Sequence, residues 1–495
     1  MDSAPRVHLH DSVARGTWRD GIAVFRGLPY ATAARFAPPV PVTPTSDLEA
    51  LDFGPIAPQV PGAQFQRADL VQDEQCLSLN VWTPGIDDQR RPIMVWIHGG
   101  AFRTGSGASP LYEGTTLAAR GDVVVITINY RLGLLGFLGH PALGDGDDQP
   151  RANWGLLDCV EALRWVQAHG AAFGGNPDDV TIFGESAGAA AVSLLCAMPA
   201  ARGLFHKAAV QSGAPLTTTM DRAVELAERA VALAGLRDVR QLRELDVHQV
   251  LAVQQQVEAE GADRTFVPAV DGSTIPVRPG RAIRDGSAAG IPLLIGSNVD
   301  EWKLWAPADP HSRDLDEDRL RSRLGRTFPA EALDDLIDAV RRARAGRGES
   351  SAPNDVFYAI ESERVFRVPS LRVADLQAAH APTFVYLFGW GSPAMRGWLG
   401  ACHGLEIAFV FGNQGRGDVA AFTGSGPDAD SLADRMMDAW LAFARTGDPS
   451  TPSLPWPSHD PAARPTMVFD VVTEVQHAPR DDERATIDAL LSAVG

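Results

Sequence analysis

The pentapeptide Gly184-Glu185-Ser186-Ala187-Gly188 follows the run Val180-Thr181-Ile182-Phe183 and opens an alanine-rich stretch that reaches Leu195. A serine held where a buried strand turns sharply into a helix is a nucleophile elbow, poised to attack a carbonyl carbon. Small residues must flank it, because strand and helix approach so closely there that a side chain would clash. A serine hydroxyl is a weak nucleophile at neutral pH, so a histidine has to take its proton during attack and return it to the leaving group. The chain has 12 histidines, and composition alone does not choose among them. A carboxylate must also orient the imidazole, and backbone N–H groups must point at the developing oxyanion.

A turn of that kind has to hang from a sheet buried on both faces. Short apolar runs recur at Ile93–Ile97, Val123–Ile128, Val180–Phe183, Ala208–Val210, Pro292–Ile295 and Thr383–Leu387, which predicts the strands of a mostly parallel sheet. An amphipathic helix is expected from about Leu156 to His169, and another after Ser186. Strand and helix in alternation mean an α/β fold. Two stretches break the rhythm, 220–260 and 310–380, both rich in Leu, Ala, Arg, Asp and Glu at helical spacing. They predict helical insertions that cap one end of the sheet within a single domain over 1–495, since no linker or repeat divides the chain. Gly412–Gly426 predicts a surface loop.

The formal charge of −18 argues against nucleic acid or an anionic membrane as partner, since both call for a positive surface. The first ten residues lack the basic and apolar regions of a signal peptide, and no apolar run has the length of a membrane span. Cys76, Cys159, Cys196 and Cys402 have neither zinc nor redox spacing, and four cysteines in so long a chain make no disulfide framework. A cytoplasmic protein without metal or organic cofactor is expected.

Beyond the elbow, segments spread over almost the whole chain resemble the type-B carboxylesterase and cholinesterase family of α/β-hydrolases. They are Phe25–Ala31, Glu74–Val81, Trp96–Phe102, Asn129–Gly133, Phe173–Pro177, Gln211–Gly213, Asp300–Glu301, His403–Glu406 and Phe443–Pro449. The resemblance implies the α/β-hydrolase fold, with a large, mostly parallel twisted sheet, and a serine esterase acting on small-molecule carboxylic esters through an acyl-enzyme on Ser186. It implies His403, in Gly400-Ala401-Cys402-His403-Gly404, as proton carrier and Glu301 as the acid that orients it; by chemistry alone Asp300 next door could serve. Serine, acid and histidine then follow in the chain order of the fold. The implied oxyanion donors are the N–H groups of Gly100, Ala101 and Ala187, with His98 supporting their loop and Phe102 beside it as a substrate-binding residue. Arg35 with Glu74, and Arg131 with Asp158, match buried ion pairs that tie surface loops to the sheet. Ser212 matches a buried serine near the acid, which suggests a supporting hydrogen bond, and Glu185 is expected to border the pocket.

Departures from the family pattern narrow the expectation. Cys76 matches a cysteine that secreted members bridge to an upstream one, and no cysteine precedes it here. Between Pro58 and Glu74 there is no tryptophan to capture choline by cation–π contact, and Ala214-Pro215-Leu216-Thr217 lacks the bulky aromatic that restricts the acyl pocket of cholinesterases. The Gly-Gly-Ala-Phe form of the oxyanion loop is associated in the family with room for bulky, even tertiary, alcohols. Trp302, Trp305, Phe357 and Trp390 are expected in the core rather than in the pocket. Two alternatives stay open: a non-catalytic cholinesterase-like binding module, against which the intact triad counts, and an amidase, thioesterase, lactonase or acyltransferase using the same residues. A monomer or weak homodimer is expected.

Overall fold

The computed structural model describes residues 4–60, 69–144, 151–260, 265–309, 311 and 313–494. Much of the Pro58–Glu74 loop discussed above, at 61–68, lies outside the described residues, as do 1–3 of the amino-terminal segment and 310 and 312 of the second insertion.

Each apolar run named above forms a strand. The strands of the principal sheet, in chain order, are β1 (Thr17–Arg19), β2 (Ile22–Pro29), β3 (Ser78–Thr83), β4 (Arg91–Ile97), β5 (Val124–Ile128), β6 (Gly175–Glu185), β7 (Lys207–Gln211), β8 (Leu293–Asn298), β9 (Thr383–Phe388), β10 (Pro465–Phe469) and β11 (Glu474–His477). Among the described residues they lie side by side as β11-β10-β9-β8-β7-β6-β4-β5-β3-β2-β1. Neighbours from β10 to β5 are parallel, and the outer pairs are antiparallel. The central runs are apolar without a break because both faces are covered. Ile93, Val95 and Ile97 of β4 join one core with α1 (Trp154–His169) and α2 (Ala187–Ala197), while Met94 and Trp96 join the other with the helix Pro427–Thr446. This is the α/β-hydrolase fold.

Since β4, β6, β8 and β9 run the same way, their carboxyl ends share one edge of the sheet, where open α/β sheets place their ligands. The chain beyond those ends delivers His98 to Phe102, Ser186, Asp300 with Glu301, and His403.

Both insertions are helical. The first holds α3 (Met220–Leu233) and α4 (Val247–Ala259); the Thr219 hydroxyl caps α3 by accepting from Arg222 N–H at 3.2 Å, and Asp246 forms a capping box with Gln249 at α4. Its Leu226, Ala230, Val250, Val253 and Val257 merge into the core beneath the sheet. The second holds α5 (Glu317–Leu324), α6 (Leu333–Gly346), α7 (Pro353–Ser362) and α8 (Val368–Gln377), and buries Leu320, Leu336, Ile337, Val340 and Ile360 in a core of its own. A π-helical turn, Glu363–Arg367, joins α7 to α8. The segment Gly412–Gly426 is more than a surface loop: it contains the helix Val419–Thr423, and buried Asn413 donates to the carbonyls of Leu111 and Glu113, each at 3.0 Å.

Candidate active site

Ser186 turns the chain at φ 56° and ψ −122°, a conformation that costs a residue other than glycine roughly 1–3 kcal/mol. Two backbone bonds hold it there: Ser186 N–H donates to Gln211 O, and Ala190 N–H donates to Ser186 O, both at 2.9 Å. The flanking glycines supply room. A Cβ on Gly184 would lie 2.6 Å from the Ile97 carbonyl oxygen, and one on Gly188 would lie 2.0 Å from it. Ser186 lines a cavity of about 580 Å³ together with Gly100, Ala101, Glu185 and His403.

The other two members of the expected triad meet directly. His403 Nδ1–H donates to Glu301 Oε2 at 2.5 Å, and Glu301 Oε1 accepts from Asn298 N–H at 2.7 Å, so a wholly buried carboxylate fixes the ring. Asp300 does different work. Its Oδ2 accepts from Ala401 N–H at 3.1 Å, its own N–H donates to Ala401 O at 2.9 Å, and Oδ1 faces Lys303 Nζ at 2.8 Å. Gly400 stands beside it at φ 58°, and a Cβ there would fall 2.2 Å from Asp300 Oδ2, so a larger residue would push this carboxylate off Ala401. Asp300 thus fastens the histidine loop to the acid loop while Glu301 holds the ring.

The far nitrogen of the imidazole, Nε2, has no hydrogen-bond partner among the described residues, Ser186 included. It lies 3.0 Å from Glu185 Oε1, outside hydrogen-bonding geometry. A third buried carboxyl, Glu406, accepts from Asn298 Nδ2 at 2.7 Å and from Gln211 Nε2 at 3.3 Å, and Trp440 Nε1 donates to Gln211 Oε1 at 3.1 Å. Burial, reinforced by Glu185 and Glu301, pushes Glu406 up to about 8. Burial raises Glu185 as well. Burial alone would lower His403, but the carboxylates of Glu185 and Glu301 outweigh it and hold the imidazole well above its ordinary value. Sequence reasoning missed Glu406 and Asn298 as partners of this network, although both stand within three residues of a triad member.

The loop after β4 carries three successive residues at positive φ: Gly100 at 112°, Ala101 at 56° and Phe102 at 59°. The Gly100 carbonyl accepts from Arg103 N–H and Thr104 N–H, both at 3.0 Å, which turns the loop back on itself. His98 underpins it, bonded to Gly99 O at 2.8 Å and stacked 4.5 Å from the ring of Tyr130; burial pushes it down to about 4, so it is neutral. Phe102 departs from expectation. It is wholly buried, packs 4.8 Å from Phe137 and is absent from the cavity wall, because the core offers its ring a closed apolar site. Trp305, expected in the core, is 39% exposed and lines the cavity 4.9 Å from His403. Phe366, from the π-helical turn, packs 4.6 Å from His403 and stacks on Trp305; no motif marks it in the sequence.

The supporting pairs differ in burial. Arg131 forms a buried bidentate pair with Asp158, at 2.8 and 2.7 Å, and its Nη1 donates to the carbonyls of Ala34 and Ala37 at 3.1 and 2.9 Å, closer to the surface. Arg35 pairs with Glu74 nearer the surface. Ser212 is buried, yet its hydroxyl has no hydrogen-bond partner among the described residues, so the expected supporting bond is not made. All four cysteines are free. Among the described residues, no group of three or more His, Cys, Asp or Glu side chains is placed to hold a metal, and no helix is long and apolar enough to cross a membrane.

The sequence profile of the carboxylesterase family matches residues 4–486. The chain is 36% identical over 485 residues to a para-nitrobenzyl esterase of Bacillus subtilis, covering 95% of this chain and 96% of that protein. It is 38% identical over 490 residues to a phenmedipham hydrolase of Pseudarthrobacter oxydans, covering 93% and 95%. Among solved structures, a Geobacillus stearothermophilus carboxylesterase superposes with a TM-score of 0.86 at 38% identity, covering 97% of this chain and 99% of that one.

Proposed function

The chain belongs to the carboxylesterase family and is a serine carboxylesterase, and from that premise we propose that Ser186, His403 and Glu301 carry its chemistry. The observation that supports this reading most is the 2.5 Å bond to a fully buried Glu301 from His403, which lines the same cavity as Ser186. Ser186 Oγ attacks the ester carbonyl as His403 Nε2 takes its proton, and the same nitrogen then gives that proton to the departing alkoxide. The N–H groups of Gly100, Ala101 and Ala187 receive the oxyanion, a contribution worth about 10²–10³ in turnover for each donor. Water then attacks the acyl-enzyme by the same route. His403 Nε2, without a hydrogen-bond partner among the described residues, is left to accept from Ser186 Oγ–H as substrate binds, in keeping with the looser geometry of unliganded sites.

The substrate is a small-molecule carboxylic ester, and the chain works as one catalytic domain whose insertions wall the cleft. Phe102, turned into the core, leaves space beside Gly100 and Ala101, which favours bulky alcohols, tertiary ones included. Four unpaired cysteines suit a reducing, cytoplasmic setting. Hydrolysis of para-nitrophenyl esters from acetate to decanoate, native protein against Ser186→Ala, tests the assignment: turnover should vanish in the variant, and survival of activity would refute Ser186. Loss of all tert-butyl ester hydrolysis in an otherwise active enzyme would refute the tertiary-alcohol reading.

A further inference from the structure

We propose that Arg103 and Glu258 form a polar subsite of the cleft that recognises a neutral hydrogen-bond acceptor carried by the ester away from its scissile bond, an inference that rests on the esterase reading above. Arg103 stands in the loop after β4, and Glu258 in the last turn of α4. Both line the cavity that Ser186 and His403 line. Arg103 Nη1 lies 3.4 Å from Glu258 Oε2, the sole ion pair of Arg103 among the described residues, and its side chain is 43% exposed. A guanidinium has five N–H donors, and this contact engages one.

Glu258 is not free to swing away. Its Oε1 accepts from Gln254 Nε2 at 3.1 Å, and Gln254 Oε1 accepts from Leu134 N–H at 2.9 Å, with Gln254 itself buried. The core thus fixes Gln254, Gln254 fixes the carboxylate, and the carboxylate holds the guanidinium at the cavity wall, where its side chain makes no other bond among the described residues. Charge decides the ligand class. A carboxylate on the substrate would attract Arg103 but meet Glu258 and Glu185, and a cation would meet the reverse. A nitro group, ketone, or amide or carbamate carbonyl accepts the free N–H groups without either repulsion. The rest of the ester has apolar lining to pack against, Leu111, Tyr112, Leu304, Trp305, Ile407 and Phe422.

The test compares kcat/KM for para-nitrobenzyl against benzyl butyrate, and for benzyl levulinate against benzyl pentanoate, in the native protein, Arg103→Met and Glu258→Gln. Comparing the acceptor-to-plain ratio across variants cancels the intrinsic reactivity of each ester. In Arg103→Met the ratio should fall about tenfold in at least one series, through KM, the scale of one lost hydrogen bond to a charged group. In Glu258→Gln, which leaves the guanidinium unopposed, benzyl hydrogen succinate should improve by a similar factor relative to benzyl pentanoate. Circular-dichroism melting of each variant checks folding, and if Arg103→Met fails to fold, the succinate measurement decides alone. Ratios unchanged within about twofold in a folded Arg103→Met variant, or no gain for the succinate ester, overturn the subsite. Failure of the native protein to hydrolyse any of these esters overturns the esterase reading instead.

Discussion

On one wall of the cleft His403 is held through Glu301, Asn298 and Asp300 and covered by Trp305 and Phe366; on the other, Arg103 projects from the loop after β4 and touches Glu258 at 3.4 Å. The first wall combines two loops with the π-helical turn of the second insertion, which has its own core. The second combines the oxyanion loop with α4, whose apolar face belongs to the main core. The difference teaches that the two insertions, alike in composition, meet the cleft in different ways: one packs Phe366 against a buried His403, where charges interact strongly, and the other brings the partly exposed Glu258 to Arg103.

The severest challenge to this contrast is Glu301→Gln, which keeps the size of the side chain and removes its charge. It should lower kcat by about 10⁴, the scale set by loss of the orienting carboxylate in a triad, measured with para-nitrophenyl butyrate; a fall under about tenfold would mean that the closed wall does not depend on that bond. Asp158→Ala acts beneath the open wall, where Gly133 N–H, two residues from Arg131, donates to Phe102 O at 2.6 Å. It strands the buried Arg131 and should lower unfolding free energy by about 3–5 kcal/mol in urea titration; an unchanged midpoint would show that the pair does not anchor that loop. The smallest effect is expected from Glu185→Gln, where the walls meet. It removes one of the two carboxylates that raise His403. Because the reaction needs His403 neutral, a lowered imidazole pKa should move the acid limb of the kcat/KM profile to lower pH; a limb that stays in place would show that Glu185 exerts no hold on the ring.

The sheet was legible because its central strands are buried on both faces and so read as unbroken apolar runs. The elbow was legible because backbone crowding at Gly184 and Gly188 leaves a local pattern. Choosing Glu301 over Asp300 needed the resemblance, since two adjacent carboxylates differ only in which loop atoms they reach. Phe102 and Trp305 exchanged places for a reason no local pattern carries: whether an aromatic ring faces core or cleft is set by distant packing partners, Phe137 in one case and Phe366 in the other. Glu406 and Asn298 were within reach of sequence reasoning, but their bond to each other joins positions 108 residues apart.

The crowding around the elbow also says where variation can accumulate. At Gly184 and Gly188 the nearest obstacle to a new side chain is the backbone oxygen of Ile97, an atom that no rotamer change can move, so codons there are frozen whatever the substrate. Arg103, Glu258 and Ala308 border the same cavity with exposed or half-exposed side chains. A mutational search for new selectivity would find almost all of its viable offspring at these rim positions, and a lineage could drift from one ester to another without disturbing the residues that break the bond.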